Sequence, residues 1–132
     1  MKLLKFGKRF LKCLRPRANT GQRGERLAQR FLKRQGYKIL ATNYQNKLGE
    51  IDIIAQDRNT VVFVEVKTRR STRFGLGKEA VDRHKQRQIV KVAQVYLKQH
   101  CPGQDVKVRF DVIGVDLEKE EIELIKNAFE TA

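Results

Sequence analysis

GEIDIIAQDRNTVVFVEVKTR, residues 49–69, predicts two antiparallel β-strands joined by a tight turn. The second strand, Thr60 to Thr68, is an almost continuous run of β-branched and aromatic residues, which is typical of a strand covered on both faces. Charged side chains in such a strand need a partner or a bound ion, because burying an unpaired charge is costly. Asp52, Glu65 and Lys67 are therefore the candidate functional residues of this stretch.

The alternation of side chains along a strand predicts how these residues are arranged. Glu65 and Lys67 share one face of the second strand. A symmetric turn at Asp57–Thr60 places Asp52 opposite Glu65, with about 5 Å between their Cβ atoms, whereas a three-residue loop would break this register. On the first strand, the isoleucines on either side of Asp52 are both predicted to face away from it.

Two carboxylates beside a lysine suit metal-ion chemistry on a phosphate. Mg²⁺ binds carboxylate oxygens, keeps several waters and lowers the pKa of a bound water, while a lysine can stabilise charge on the phosphate. The alternative is a cross-strand salt bridge, since Glu-x-Lys alone is a common pattern. Carboxylates directly opposite each other destabilise a sheet when no cation is present, which favours the metal site.

The composition indicates a polyanionic partner. The 132 residues include 29 Lys and Arg against 15 Asp and Glu, a net charge of +14, which favours nucleic acid first and anionic lipid second. Cys13 and Cys101 form neither a disulfide framework nor a metal-binding spacing, which predicts a reduced, cytoplasmic protein. No apolar run approaches the ~20 residues of a membrane span. Monomer and dimer both remain open.

The order of the predicted elements indicates one α/β domain. Residues 1–18 are predicted to be a basic, flexible N-terminal arm, with apolar residues at helical spacing that suit docking on nucleic acid or a membrane surface. Residues 19–132 form the domain, in which a mixed central sheet with an antiparallel hairpin is flanked by helices. Its remaining predicted elements are a helix ending at Gln35, a strand at Tyr37–Tyr44, a long helix from about Ala80 to His100, and strands at Val106–Val115 and Glu121–Ile125, with Phe129 folding back onto the core.

Two further groups of charged residues are candidates for the site. Glu25 lies at the apolar edge of the first helix, either because an acid favours the helix N-terminus or because it is a third acid directed at Asp52 and Glu65. After Lys67 comes a polar, basic segment without periodicity, predicted to be a loop beside the site, in which Phe74 could stack on a base. The candidates for phosphate contacts are Arg69, Arg70, Arg73, Lys78 and Lys85.

These residues carry a family resemblance. The helical Glu25, the hairpin Asp52 and the Glu65-Val66-Lys67 motif resemble the PD-(D/E)xK nuclease superfamily, although Ile51 stands where that superfamily usually has proline. Over residues 20–129 the chain looks like the YraN-like uncharacterised protein family of bacteria, which is itself similar to archaeal Holliday-junction resolvases. The matching motifs are Gly21-x-x-Gly24-Glu25, Gly36-Tyr37, Asn43, Gly49–Ala55, Val64–Arg69, Arg109–Val112 and Asn127–Phe129.

The resemblance implies a restriction-endonuclease-like core and a Mg²⁺- or Mn²⁺-dependent endonuclease that hydrolyses phosphodiester bonds in DNA, with branched or recombination structures as substrates. It implies that Asp52, Glu65 and the Val66 carbonyl hold the metal, and that Lys67 orients the attacking water or the phosphate. It implies that Glu25 holds a second metal or a water. The alternative is a non-catalytic nucleic-acid-binding or scaffolding module with the same fold.

Overall fold

Two helices pack against opposite faces of one six-stranded β-sheet in the computed structural model of this chain. The structure describes residues 2–6, 20–69 and 81–130, with side chains from residue 21 onward. The elements, in chain order, are β1 Lys2–Phe6, α1 Thr20–Arg34, β2 Lys38–Asn46, β3 Gly49–Asp57, β4 Thr60–Arg69, α2 Arg83–His100, β5 Lys107–Asp116 and β6 Glu121–Lys126.

The sheet is mixed, with strand order β1-β6-β5-β4-β3-β2. Strands β2, β3 and β4 form an antiparallel meander, β4 and β5 are parallel, and β6 is antiparallel to both β5 and β1. Parallel neighbours need a long crossover connection. Helix α2 lies in that connection, which confirms the predicted mixed sheet with an antiparallel hairpin and flanking helices.

The β3–β4 hairpin has the predicted symmetric register. Its pairing runs from Asp57↔Thr60 to Ile53↔Val64, so that two residues, Arg58 and Asn59, form the turn. Arg58 adopts a φ of +58°, in the left-handed region that two-residue hairpin turns of the primed types use. The register therefore brings Asp52 toward Glu65, as the sequence predicted.

Each face of the sheet is covered by one helix. Helix α1 buries Leu27, Ala28, Phe31 and Leu32 against the face that carries Val62 and Val64 of β4. Helix α2 buries its own apolar stripe against the opposite face, where Phe63 and Phe110 lie. Phe129 is buried on this second face and stacks on Phe110 with ring centroids 5.0 Å apart, which confirms that the C-terminal segment folds back.

Strict alternation fails on β3 at Asp52. Ile51 packs with Ile54 on the α2 side of the sheet, whereas Ile53 packs on the α1 side. The prediction that Ile51 and Ile53 share a face is therefore wrong. The change coincides with an irregularity in the neighbouring strand, where Asn43, which lies between the residues paired with Ile51 and Ile53, has a left-handed φ of +50°.

The first residues of the chain also differ from the sequence prediction. Lys2–Phe6 form an edge strand paired with β6, from Lys2↔Lys126 to Phe6↔Ile122, rather than the start of a helical arm. Without β1, β6 would be an edge strand, and the free backbone N–H and C=O groups of an edge strand can pair with a further strand. The rest of the predicted arm, residues 7–18, lies outside the described residues, and the division of the chain after residue 18 stays a prediction.

Gly24 allows α1 to approach β4 closely. A Cβ atom at position 24 would collide with Oγ1 of Thr68 and would lie 2.8 Å from its Cβ. We expect Gly24→Ala to push the helix away from the strand and to lower the free energy of unfolding by about 1–3 kcal/mol, measured by urea unfolding. The control is Gly21→Ala at an exposed position of the same helix, which should not lower stability, because Ala is the better helix former. Equal losses for both variants would contradict this role of Gly24.

Candidate functional site

Asp52 lies where β3 separates from β4. Regular pairing of the two strands extends to Ile53 and Val64, and beyond it the backbone N–H of Val66 donates to Oδ2 of Asp52 at 2.8 Å. In a continued antiparallel ladder this amide would donate to the backbone carbonyl of Ile51. The carboxylate of Asp52 therefore replaces a backbone acceptor and is held in the gap between the strands.

The carboxyl groups of Asp52 and Glu65 form a hydrogen-bonded pair. Glu65 is 8% exposed, and burial together with the negative charge of Asp52 raises the pKa of Glu65 to about 7. Burial also raises the pKa of Asp52, which the hydrogen bond from the Val66 amide counteracts. The surroundings of Glu65 therefore favour its protonated form, and a bound cation would offset the same repulsion between the two carboxylates.

Two lysines act on this acid pair. Lys85, in the first turn of α2, places its Nζ 3.9 Å from Oε1 of Glu65. Lys67, two residues farther along β4, also acts on Glu65, and both charges lower the pKa of that carboxyl group. Asp82 caps α2 by accepting the backbone N–H of Lys85 at 2.8 Å, which fixes the turn that carries this lysine.

Helix α1 brings Glu25 toward the same gap. Burial raises the pKa of Glu25 first and the charge of Asp52 second, while a hydrogen bond to the side chain of Asn43 lowers it. Glu25 therefore contacts the left-handed residue of β2 that lies beside Asp52. Of the two explanations for Glu25, this position agrees with the one that directs it at the acid pair.

The structure limits how many acids one ion could contact directly. Within residues 21–69 and 81–130, no three side chains of His, Cys, Asp or Glu converge closely enough to surround a metal. The two acids that a hydrogen bond brings together are Asp52 and Glu65. The negative charge of Glu50 also contributes to the raised pKa of Asp52 and of Glu25.

The structure describes two of the five residues that were predicted to contact phosphates. Arg69 is half-buried and lines a small pocket together with Lys67, on the surface formed by β4, β5 and β6. Lys85 reaches the acid pair itself, in addition to its predicted role in phosphate contacts. Arg70, Arg73 and Lys78 lie outside the described residues.

Sequence reasoning missed the position of Lys85 and the role of Asn43. Contact between the first turn of α2 and Glu65 arises from tertiary packing, for which the sequence carries no local signal. Asn43 did carry one, because asparagine is enriched at left-handed backbone positions. A polar residue of this kind inside a predicted strand indicates an irregularity, and here the irregularity adjoins Asp52.

A second charged network lies at the other end of the hairpin. Arg109 donates two hydrogen bonds to the fully buried Asp111, at 2.9 and 3.0 Å, and one each to Asp57 and the hydroxyl of Tyr37. Asp111 also accepts the backbone N–H of Asn127 at 2.9 Å. These bonds join β3, β5 and the segment after β6. The Arg109–Val112 motif therefore has a structural role away from the acid pair.

Neither helix in the described part of the chain has the length and apolar character needed to cross a membrane.

Comparison with known proteins identifies relatives over most of the chain. It is 51% identical over 112 residues to a UPF0102 protein of Caldanaerobacter subterraneus subsp. tengcongensis, covering 81% of this chain and 87% of the relative. It is 50% identical over 115 residues to a UPF0102 protein of Syntrophus aciditrophicus, covering 86% and 90% respectively. Among solved structures it is similar to Pyrococcus furiosus SfsA in complex with Ca²⁺, at 13% identity and a TM-score of 0.30, covering 81% of this chain and 61% of the other.

A family model gives the same assignment as these relatives. Residues 24–115 match the model described as uncharacterised protein family UPF0102. The matched range includes Glu25, Asp52, Glu65 and Lys67, and it extends from within α1 to Val115 of β5. The chain therefore belongs to the uncharacterised protein family UPF0102.

Proposed function

We propose that this protein is a Mg²⁺-dependent endonuclease that hydrolyses phosphodiester bonds in DNA. The observation that carries the proposal is the acid pair of Asp52 and Glu65, which is held in the gap between β3 and β4. Two hydrogen-bonded acids, of which Glu65 is buried, form together with the lysines Lys67 and Lys85 an arrangement suited to a cation and a phosphate.

The donors at this gap fit a hard divalent cation. Asp52 and Glu65 offer carboxylate oxygens, which Mg²⁺ and Mn²⁺ prefer as ligands. The amide of Val66 faces Asp52, and the carbonyl of a strand residue points toward the same neighbouring strand as its amide, so Val66 would supply a third oxygen. When bound, the ion would make a water more acidic and would neutralise charge on the phosphate.

The charged side chains around the pair have separable roles. Lys67 would stabilise the charge that develops on the phosphate, because an ammonium fixed near that charge is worth more in a partly buried site than in water. Lys85 holds Glu65 in place and offsets its charge. Glu25, bound to Asn43, would orient a water or hold a second ion.

The charge distribution supports a nucleic-acid substrate. The 15 residues of α1 contain one acid, Glu25, and the 18 residues of α2 contain none, whereas both helices are rich in Lys and Arg. Most acids of the described chain lie in the strands and their turns instead. The two helices that cover the sheet therefore carry an excess of positive charge, which favours binding of a polyanion. Branched and recombination structures enter the proposal through the resemblance to junction resolvases.

The function is tested with labelled branched, flapped, duplex and single-stranded DNAs incubated with the protein in Mg²⁺ or Mn²⁺. We expect cleavage of at least one branched substrate that EDTA abolishes and that a preparation of Asp52→Asn does not reproduce. Cleavage that persists unchanged in Asp52→Asn would identify a contaminating nuclease. Absence of cleavage of every substrate with either metal would contradict the proposal.

The second candidate is a nucleic-acid-binding module without catalytic activity. The observation that favours it is the contact of Lys85 with Glu65 at 3.9 Å, because the positive charge of this lysine already offsets the charge of Glu65. A pair stabilised in this way needs no metal. Salt-dependent binding of the same DNAs without any cleavage would support this second function.

A further inference from the structure

The outward face of α2 carries a line of positive charge. Arg83, Arg87 and Lys91 are all exposed and follow one another at intervals of four residues, so each lies about one helical turn, roughly 6 Å, beyond the last. The opposite face of the helix is apolar and buried against the sheet. We refer to Arg83, Arg87 and Lys91 as the α2 ridge.

The α2 ridge borders a groove that is lined mostly by polar residues. The groove has a volume of about 460 Å³ and is lined by the ridge residues together with Gln86, Val90, Gln94 and Glu130. The glutamine amides can donate and accept hydrogen bonds. None of the three ridge cations forms an ion pair with another residue of the described ranges 21–69 and 81–130. Three neighbouring unpaired cations repel one another, and a polyanion relieves that repulsion.

The α2 ridge begins in the same helical turn that reaches the acid pair. Lys85 lies between Arg83 and Arg87 in the chain and reaches inward to Glu65 at 3.9 Å. The first turn of α2 therefore contacts the candidate site on its inner side and starts the ridge on its outer side. From Arg83 to Lys91 the ridge then extends about 12 Å along the helix.

We infer that the α2 ridge binds the phosphate backbone of duplex DNA. This inference rests on the proposed function for its substrate class. Lys and Arg on a helix contact phosphates without reading the sequence, which suits an enzyme directed by DNA structure. An anionic membrane is the less suitable partner, because a helix at a lipid surface inserts an apolar face, and the apolar face of α2 is buried in the protein.

The test is the binding of a fluorescein-labelled duplex DNA of about 30 base pairs, followed by anisotropy in EDTA over a range of KCl concentrations. The variant carries Arg83→Gln, Arg87→Gln and Lys91→Gln together. Each lost phosphate contact lowers the slope of log K against log salt by about 0.9, so we expect a decrease of about 2.7. At 0.1 M salt this corresponds to a Kd increased by about 10² to 10³-fold.

A matched control separates the position of the charges from their number. The variant with Arg26→Gln, Lys33→Gln and Lys38→Gln removes the same charge from exposed positions on α1 and β2. Screening limits the effect of charges more than about 10 Å from the DNA, so we expect the control to change the Kd by less than tenfold. Equal changes in the two triple variants would overturn the inference.

Two further measurements complete the test. Arg87→Gln alone should lower the salt slope by about 0.9, which gives a result even where the triple variant does not fold. Vesicles of phosphatidylcholine with phosphatidylserine serve as the lipid probe. Selective loss of vesicle binding in the triple variant, with DNA binding intact, would overturn the inference in favour of a membrane.

The design also separates this inference from the proposed function. Binding is measured in EDTA, where no metal-dependent cleavage occurs, so a reduced salt slope supports the ridge whether or not the wild-type protein cuts DNA. Conversely, a wild-type protein that cuts DNA, beside a triple variant that binds DNA with an unchanged slope, would leave the endonuclease standing and refute the ridge.

Discussion

Replacing Lys67 with Ala is expected to lower the rate of DNA cleavage by about 10² or more while Mg²⁺ binding survives. The loss of one preorganised contact to transition-state charge typically has this size. The ammonium of Lys67 acts on Glu65 but is not a metal donor, so its removal should leave the oxygens of Asp52 and Glu65 in place. Single-turnover cleavage rates, measured over a range of Mg²⁺ concentrations, separate the two effects.

The control for this variant is Lys38→Ala, an exposed lysine at the start of β2. It removes the same charge and should leave the rate within about threefold of the wild type, since screening weakens distant surface charges. An equal loss in Lys38→Ala, or an unchanged rate in Lys67→Ala, would remove Lys67 from the catalytic residues. A Lys67→Ala variant that needs far more Mg²⁺ for the same rate would show that the lysine organises the ion site instead.

Glu65→Gln is expected to stabilise the metal-free protein at alkaline pH. The pKa of Glu65 is about 7 in the folded protein against an ordinary value of 4.5. Between these two values the folded state binds more protons than the unfolded state, so the free energy of unfolding decreases as pH rises from about 4.5 and the loss is complete above about 7. A difference of this size corresponds to on the order of 3 kcal/mol, which Glu65 shares with its partner Asp52.

The measurement is urea unfolding in EDTA at about pH 5 and pH 8.5. The wild type should lose stability between the two values, whereas Glu65→Gln should lose much less, because the amide does not ionise. Glu118→Gln, at an exposed turn position, is the control and should follow the wild type. If the two glutamine variants show the same dependence on pH, burial of Glu65 does not destabilise its ionised form.

The sequence predicted the hairpin and the helices because their signals are local. A two-residue turn and period-two alternation were enough to set Asp57↔Thr60 and every pair up to Ile53↔Val64. The apolar spacing of α1 likewise marked the first helix, which ends at Arg34, one residue before the predicted Gln35. These features depend on residues close in the chain, which is why they could be read without a structure.

The features that the sequence did not predict depend on contacts between residues that lie far apart in the chain. Ile51 turns to the α2 side because β3 leaves its regular path beside Asn43, and alternation alone cannot show where a strand does so. Lys2–Phe6 pair with β6, more than 100 residues away in the chain, although their apolar spacing also fits a helix. Lys85 reaches Glu65 only because the crossover after β4 returns α2 over the sheet.

The candidate site combines both kinds of information. Asp52, Glu65 and Lys67 were identified from charge placed inside a buried strand, and the structure brings the two acids together as predicted. The sequence did not show that the Val66 amide binds Asp52 in a gap between separating strands. The separation of the strands leaves this amide free to bind Asp52, because a continuous ladder would have used it for strand pairing.

The most direct test of the proposed metal site is a Mg²⁺ titration of thermal unfolding for wild type and Asp52→Asn. An ion that binds the folded state alone stabilises it by mass action, by about 2.7 kcal/mol at a concentration of 100 times its Kd. We predict that the Tm of the wild type rises with Mg²⁺ and that the Tm of Asp52→Asn does not, because the amide keeps the shape of the side chain and removes its charge. Identical responses of the two proteins would contradict a cation site at Asp52 and Glu65.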